Sequence, residues 1–165
     1  MACIDIIAAS VTLLLFVSPS PVGAQASDAV AAPDKTQVLK VHAEGAQIYE
    51  CKIDKDGKLV WQFREPIAAL IHDGKTIGRH FAGPTWELAD GSVVTGKVAA
   101  STAGATSRDI PWLRLEATGH RGNGQLSDIT AIQRINTKGG VVKGDCTAAG
   151  ILLSEPYSGE YVFLK

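Results

Sequence analysis

The chain is 165 residues long and carries 16 Lys and Arg against 17 Asp and Glu, a formal net charge of −1. That length suits one domain with its own core, and the charge balance excludes the basic footprint that nucleic acid requires. Basic side chains such as Lys52, Lys58, Arg79 and Arg114 are scattered among carboxylates, which also excludes a basic membrane-binding stripe.

Ile6 to Val17 is almost wholly apolar, yet too short to cross a bilayer, which takes about 20 residues. Ser18-Pro19-Ser20-Pro21 interrupts any helix behind it, and Ala24-Gln25-Ala26 supplies the small residues of a cleavage site. Residues 1–26 therefore read as a secretory signal peptide, although Asp5 stands where a basic residue is usual. Cleavage would remove Asp5 and Cys3, leaving sixteen acidic side chains (17 less Asp5) against sixteen basic ones. It would also leave Cys51 and Cys146 as a pair, expected to close as a structural disulfide in an oxidising compartment. The mature chain is expected in the periplasm or the medium, free of the membrane.

Residues 27–44, rich in Ala, Asp and Lys and containing Pro33, read as a flexible leader, with the folded domain running from Gly45 to Lys165. Ile48 to Ile53 and Leu59 to Phe63 alternate around Asp56-Gly57, a hairpin signal. The run Ile67 to Ile71 suits a helical turn or a buried strand equally and ends at Asp73-Gly74. A third Asp-Gly, Asp90-Gly91, separates Thr85 to Leu88 from Ser92 to Val98. Trp112 to Ala117 alternates, placing Leu113 and Leu115 on one face and Trp112, Arg114 and Glu116 on the other. Ile129, Ile132 and Ile135 recur at helical spacing, but β-branched content and Gly139-Gly140 favour a strand. Tyr161 to Leu164 is apolar on both faces, as a strand buried on both sides would be. The expected fold is all-β, a single antiparallel β-sandwich or closed β-barrel with little helix and one disulfide.

One stretch is more distinctive: Gly78-Arg79-His80-Phe81-Ala82-Gly83-Pro84-Thr85-Trp86-Glu87-Leu88-Ala89-Asp90-Gly91-Ser92. With Tyr49-Glu50-Cys51, Trp61-Gln62-Phe63, Trp112-Leu113, the run from Ile132-Gln133-Arg134 to Gly139-Gly140, Cys146 and Pro156-Tyr157-Ser158, it resembles a secreted domain-of-unknown-function family of bacteria and fungi. The resemblance extends from Gly45 onward and implies an exported domain without an assigned role; Gly159-Glu160 departs from the Ala-Asp more frequent in that family. Some fungal relatives carry a malate dehydrogenase label. An NAD-dependent enzyme needs a strand, a Gly-x-Gly-x-x-Gly turn and a helix to hold pyrophosphate, and this chain has no such run, so neither that activity nor any cofactor is expected.

His80 and Glu87 are the candidate catalytic residues. If the strands around Ala82-Gly83-Pro84 are neighbours, the two are expected side by side on one face, opposite Phe81 and Trp86. A structural hydrogen bond would use the same arrangement. Arg134 is a candidate holder of a carboxylate or phosphate, with pairing to Glu87 or Glu116 as the plainer expectation. Trp86 is a candidate stacking residue and Asp90 a candidate binding residue, each with an ordinary structural role as core or turn. No spacing identifies a metal site. The favoured reading is a non-catalytic binding or interaction module for an envelope or extracellular ligand. The alternative is a metal-assisted or acid/base enzyme using His80 and Glu87, with Arg134 as anion holder.

Overall fold

The computed structural model describes residues 28–165, so the expected signal peptide and Cys3 lie outside the described residues. A single 3₁₀ turn at Asp28–Val30 precedes eight strands. These are β1 (Gln37–Ile53), β2 (Leu59–His72), β3 (Lys75–Phe81), β4 (Thr85–Leu88), β5 (Val93–Thr102), β6 (Trp112–Arg121), β7 (Ala131–Gly139) and β8 (Leu152–Leu164). Each pairs antiparallel with its successor and β1 closes on β8, so the sheet is an up-and-down barrel in chain order. Closure removes every sheet edge from the barrel wall. Of the two all-β expectations, barrel rather than sandwich is therefore the fold.

The hairpin turns are set by local chemistry. Asp73 and Gly74 both take positive φ, 48° and 73°, the backbone of a tight two-residue turn between β2 and β3. Between β4 and β5, Gly91 does the same at 84°. Ile67 to Ile71 lies within β2, with Ala68 and Leu70 buried inward and Ile67 exposed, which resolves the ambiguous run as strand.

The domain begins earlier than Gly45. Strand β1 starts at Gln37, and Leu39, Val41 and Ala43 point into the core while Lys40, His42 and Glu44 are exposed. This alternation corrects the flexible-leader expectation for residues 37–44. The segment before it is also anchored. Val30 is fully buried against Ala131, Ile135, Val162 and Leu164 on the outside of the barrel, and the Gln133 side-chain N–H donates to the Val30 carbonyl at 2.6 Å. That cover explains why the end of β8 is apolar on both faces. Tyr161 and Phe163 face the barrel core, and Val162 and Leu164 face the N-terminal segment. The helical spacing of the isoleucines has the same cause: Ile132 faces inward and Ile135 outward beneath the cover.

The two ends of the barrel differ. At one, the β6–β7 connection folds inward, placing Leu126 and Ile129, both fully buried, in the core with Leu39, Leu88 and Val94. Asp90 and Ser92 hold it there. Asp90 accepts from the Gln125 N–H at 2.9 Å and from the Ser92 hydroxyl at 2.6 Å, and that hydroxyl accepts from the Leu126 N–H at 3.2 Å. At the other end lie the β3–β4 turn and the longer β5–β6 and β7–β8 connections. Here Cys51 of β1 is bonded to Cys146, across 95 positions of chain.

Candidate functional site

A cavity of about 310 Å³ opens at the end opposite the Leu126 plug. Its floor is aromatic. Trp86 is buried and lies flat against His80, with ring centroids 4.6 Å apart and an interplanar angle of 11°. Tyr161 meets both, tilted on His80 at 4.9 Å and edge-on to Trp86 at 5.4 Å. Gly96 leaves the space this cluster needs, since a β-carbon there would sit 3.3 Å from the Trp86 ring. The upper wall is Leu113, Val98, Phe63 and Pro66, with Arg134 set among them.

His80 is 3% exposed, and its Nδ1 lies 2.9 Å from the Thr85 carbonyl oxygen. A carbonyl only accepts, so Nδ1 carries the proton. Burial pushes the imidazole pKa from 6.5 down to about 4; the Thr85 bond opposes this, and the Arg134 charge adds to it. The ring is therefore neutral at physiological pH, with Nε2 as a free lone pair. Among the described residues nothing donates to it.

Arg134 projects from β7 between Leu113 of β6 and Tyr161 of β8. Its Nε and one Nη2 proton are spent on the Pro111 carbonyl, at 3.1 and 2.9 Å. Neither expected partner holds it: Glu87 pairs instead with Arg79 at 2.6 Å, and among the described residues Arg134 makes no ion pair. Burial raises the pKa of Tyr157 and Tyr161, and in both the Arg134 charge works the other way. The guanidinium thus acts on Tyr161 in the cavity floor and on Tyr157, whose hydroxyl lies 3.3 Å from that of Tyr161.

The expected His80 and Glu87 pair is not formed. The register pairs His80 with Trp86 and Arg79 with Glu87. His80 and Trp86 face inward together, while Glu87 faces out beside Arg79, which also lies 5.0 Å above the Phe81 ring. A shift of one residue moves a side chain through the sheet. The shared reacting atom that acid/base chemistry requires is then out of reach of one member of the pair. Asp90 lies at the closed end, away from the cavity. Burial tends to raise its pKa, but the bonds from Ser92 and the Gln125 N–H outweigh that and leave it below the usual carboxylate value.

Sequence reasoning missed Tyr161, Leu113, Val98 and Pro66 as wall residues. Inward position was the available signal for Leu113 and Tyr161, but alternation alone does not say which end of a barrel is open. A larger hollow of about 970 Å³ lies nearby, bordered by Arg108, Asp109, Lys138, Lys143 and Glu155. Some of its polar groups are already spent within the chain: Asp109 accepts from the Thr106 hydroxyl at 2.6 Å and the Gly139 N–H at 2.7 Å, and Thr137 donates to the Ile110 carbonyl at 2.6 Å. Of its buried side-chain polar atoms the Trp112 indole N–H lacks a partner, and the charged ends of Arg108, Lys138, Lys143 and Glu155 make no ion pair among the described residues. The barrel mouth is the better candidate because it leads into the barrel interior, onto the buried rings of His80, Trp86 and Tyr161.

No curated protein and no solved structure matches the chain. A family model described as a protein of unknown function (DUF3455) matches residues 31–165, and the chain belongs to that family.

Proposed function

We propose that the chain is an exported, non-catalytic binding module whose barrel mouth holds a small envelope or extracellular ligand. The supporting observation is the wall of the 310 Å³ cavity, where a guanidinium without an anion stands beside two ring nitrogens that have no hydrogen-bond partner among the described residues. The guanidinium is Arg134, held on the Pro111 carbonyl, and the ring nitrogens are the His80 Nε2 and the Trp86 indole N–H. A buried polar group left unsatisfied costs about 1–3 kcal/mol, so the ring nitrogens of buried His80 and Trp86 call for partners from outside the chain. The volume suits a small molecule at the lower end of ligand-site sizes, and eight strands is the barrel size at which one small ligand fits. The character of residues 1–26 and the Cys51–Cys146 bond both favour an oxidising compartment outside the cytoplasm. Among the described residues no helix is long and apolar enough to cross a membrane.

Thermal-shift screening tests this. The chain expressed with residues 1–26 should be recovered starting near Ser27, and small molecules that fill the mouth should raise its Tm. Ligand at about 100 times its Kd adds about 2.7 kcal/mol, a shift of several degrees. Val98→Trp, at a rim position already 48% exposed, should fold normally and abolish the shift. Hits that stabilise this variant equally, or no hits at all, would contradict binding at the mouth.

A further inference from the structure

We infer that the ligand of the barrel mouth is a small amphipathic carboxylate, its anionic end on Arg134 and its apolar body against Leu113, Val98 and Phe63. The inference rests on the mouth being the binding site. A guanidinium has two edges that can each take a planar acceptor. In Arg134 the Nε–Nη2 edge is fixed on the Pro111 carbonyl, which orients the group and leaves its remaining N–H groups to the Tyr161 hydroxyl and to a ligand on the Nη1–Nη2 edge. A carboxylate matches that edge with two parallel charge-assisted hydrogen bonds.

The surrounding charge agrees. The cavity wall includes Arg64 as well as Arg134 and no Asp or Glu, and Arg64 is already engaged with Glu65 at 3.2 Å. Among the described residues Arg134 is therefore the one cation on this wall without an anion. His80 does not compete for the ligand's charge, because its Nδ1–H is committed to Thr85 and the ring is neutral. The rest of the wall is apolar, and Phe63 and Val98 stay 51% and 48% exposed at the rim, where a ligand body would cover them. Size sets the upper limit. A volume of about 310 Å³ equals roughly ten waters of liquid, so the buried part of the ligand has on the order of ten to fifteen non-hydrogen atoms.

Calorimetric titration at pH 7 with three probes of one shape tests the assignment: phenylacetate, phenylacetamide and phenethylamine. Phenylacetate should bind roughly tenfold or more tighter than the amide, and the amine should bind weakest. Arg134→Gln should erase the difference between acid and amide, and Arg134→Lys should restore part of it. If Arg134→Gln does not fold, the wild-type comparison decides alone. Equal binding of acid and amide overturns the carboxylate assignment and leaves binding at the mouth standing. So does failure of all three probes while other compounds still give shifts that Val98→Trp blocks. Failure of the probes together with an empty screen overturns both.

Discussion

Removing the disulfide, by Cys51→Ser with Cys146→Ser, lowers the unfolding free energy by about 4–5 kcal/mol. The bond spans 95 positions, and a closed loop of that length removes about this much entropy from the unfolded chain in the loop-closure account. The native state offers little to replace it. Residues 141–151 contain no strand, and their backbone attachment to β1 is two hydrogen bonds at Cys51, from the Gly150 N–H to its carbonyl and from its own N–H to the Ile151 carbonyl, each 2.9 Å. A small domain is stable by only about 5–15 kcal/mol in total, so the loss is roughly a quarter or more of what holds the barrel. Urea unfolding of oxidised and doubly substituted protein measures it. A change below about 1 kcal/mol would show that the barrel closes without this connection.

Acid between pH 6.5 and 4 should destabilise the protein through His80. The imidazole is neutral and buried, and burial lowers its pKa from 6.5 to about 4. Between those values the unfolded chain takes up a proton that the folded one refuses, so stability is complete above pH 6.5 and falls with pH. By pH 4 the loss is about 3 kcal/mol. His80→Phe keeps a flat ring against Trp86 and removes the titrating group. It should flatten the profile in this window at the expense of the Thr85 bond, about 1 kcal/mol at neutral pH. Asp90 and Asp109 do not confuse the measurement, since both are held below the usual carboxylate value and act at lower pH. Wild-type stability that stays level from pH 7 to 4.5 would mean the imidazole is reached by solvent.

The strands were legible where the signal is local. Asp56-Gly57, Asp73-Gly74 and Asp90-Gly91 each lie between paired antiparallel strands, as Asp-Gly between alternating runs implies. Val38 to Glu44 alternates just as clearly, but the Ala-, Asp- and Lys-rich residues before it masked the pattern. Barrel closure was beyond local reading. It depends on Gln37 to Glu50 pairing with Leu152 to Leu164, segments more than a hundred residues apart.

The site was legible in composition and not in geometry. His80, Trp86 and Arg134 all line the mouth, because each occupies an inward strand position. Glu87 does not, because the register around Ala82-Gly83-Pro84 aligns Phe81 with Thr85, one residue away from the alignment that would pair His80 with Glu87. Turn geometry sets that count, and a period of two turns the error of one residue into the opposite face. Asp90 read correctly as a turn residue; its hold on Gln125 spans 35 positions and no local pattern reports it.

Amide-resolved NMR during titration with phenylacetate or a screening hit locates binding directly. Shifts confined to β2 near Phe63 to Pro66, the β3–β4 turn, Leu113 to Leu115, Arg134 and Tyr161, with Leu126 and Ile129 unmoved, are the predicted result. Shifts centred on Lys138, Lys143 and Arg108 would move the site to the outer hollow and contradict a ligand in the mouth of the barrel.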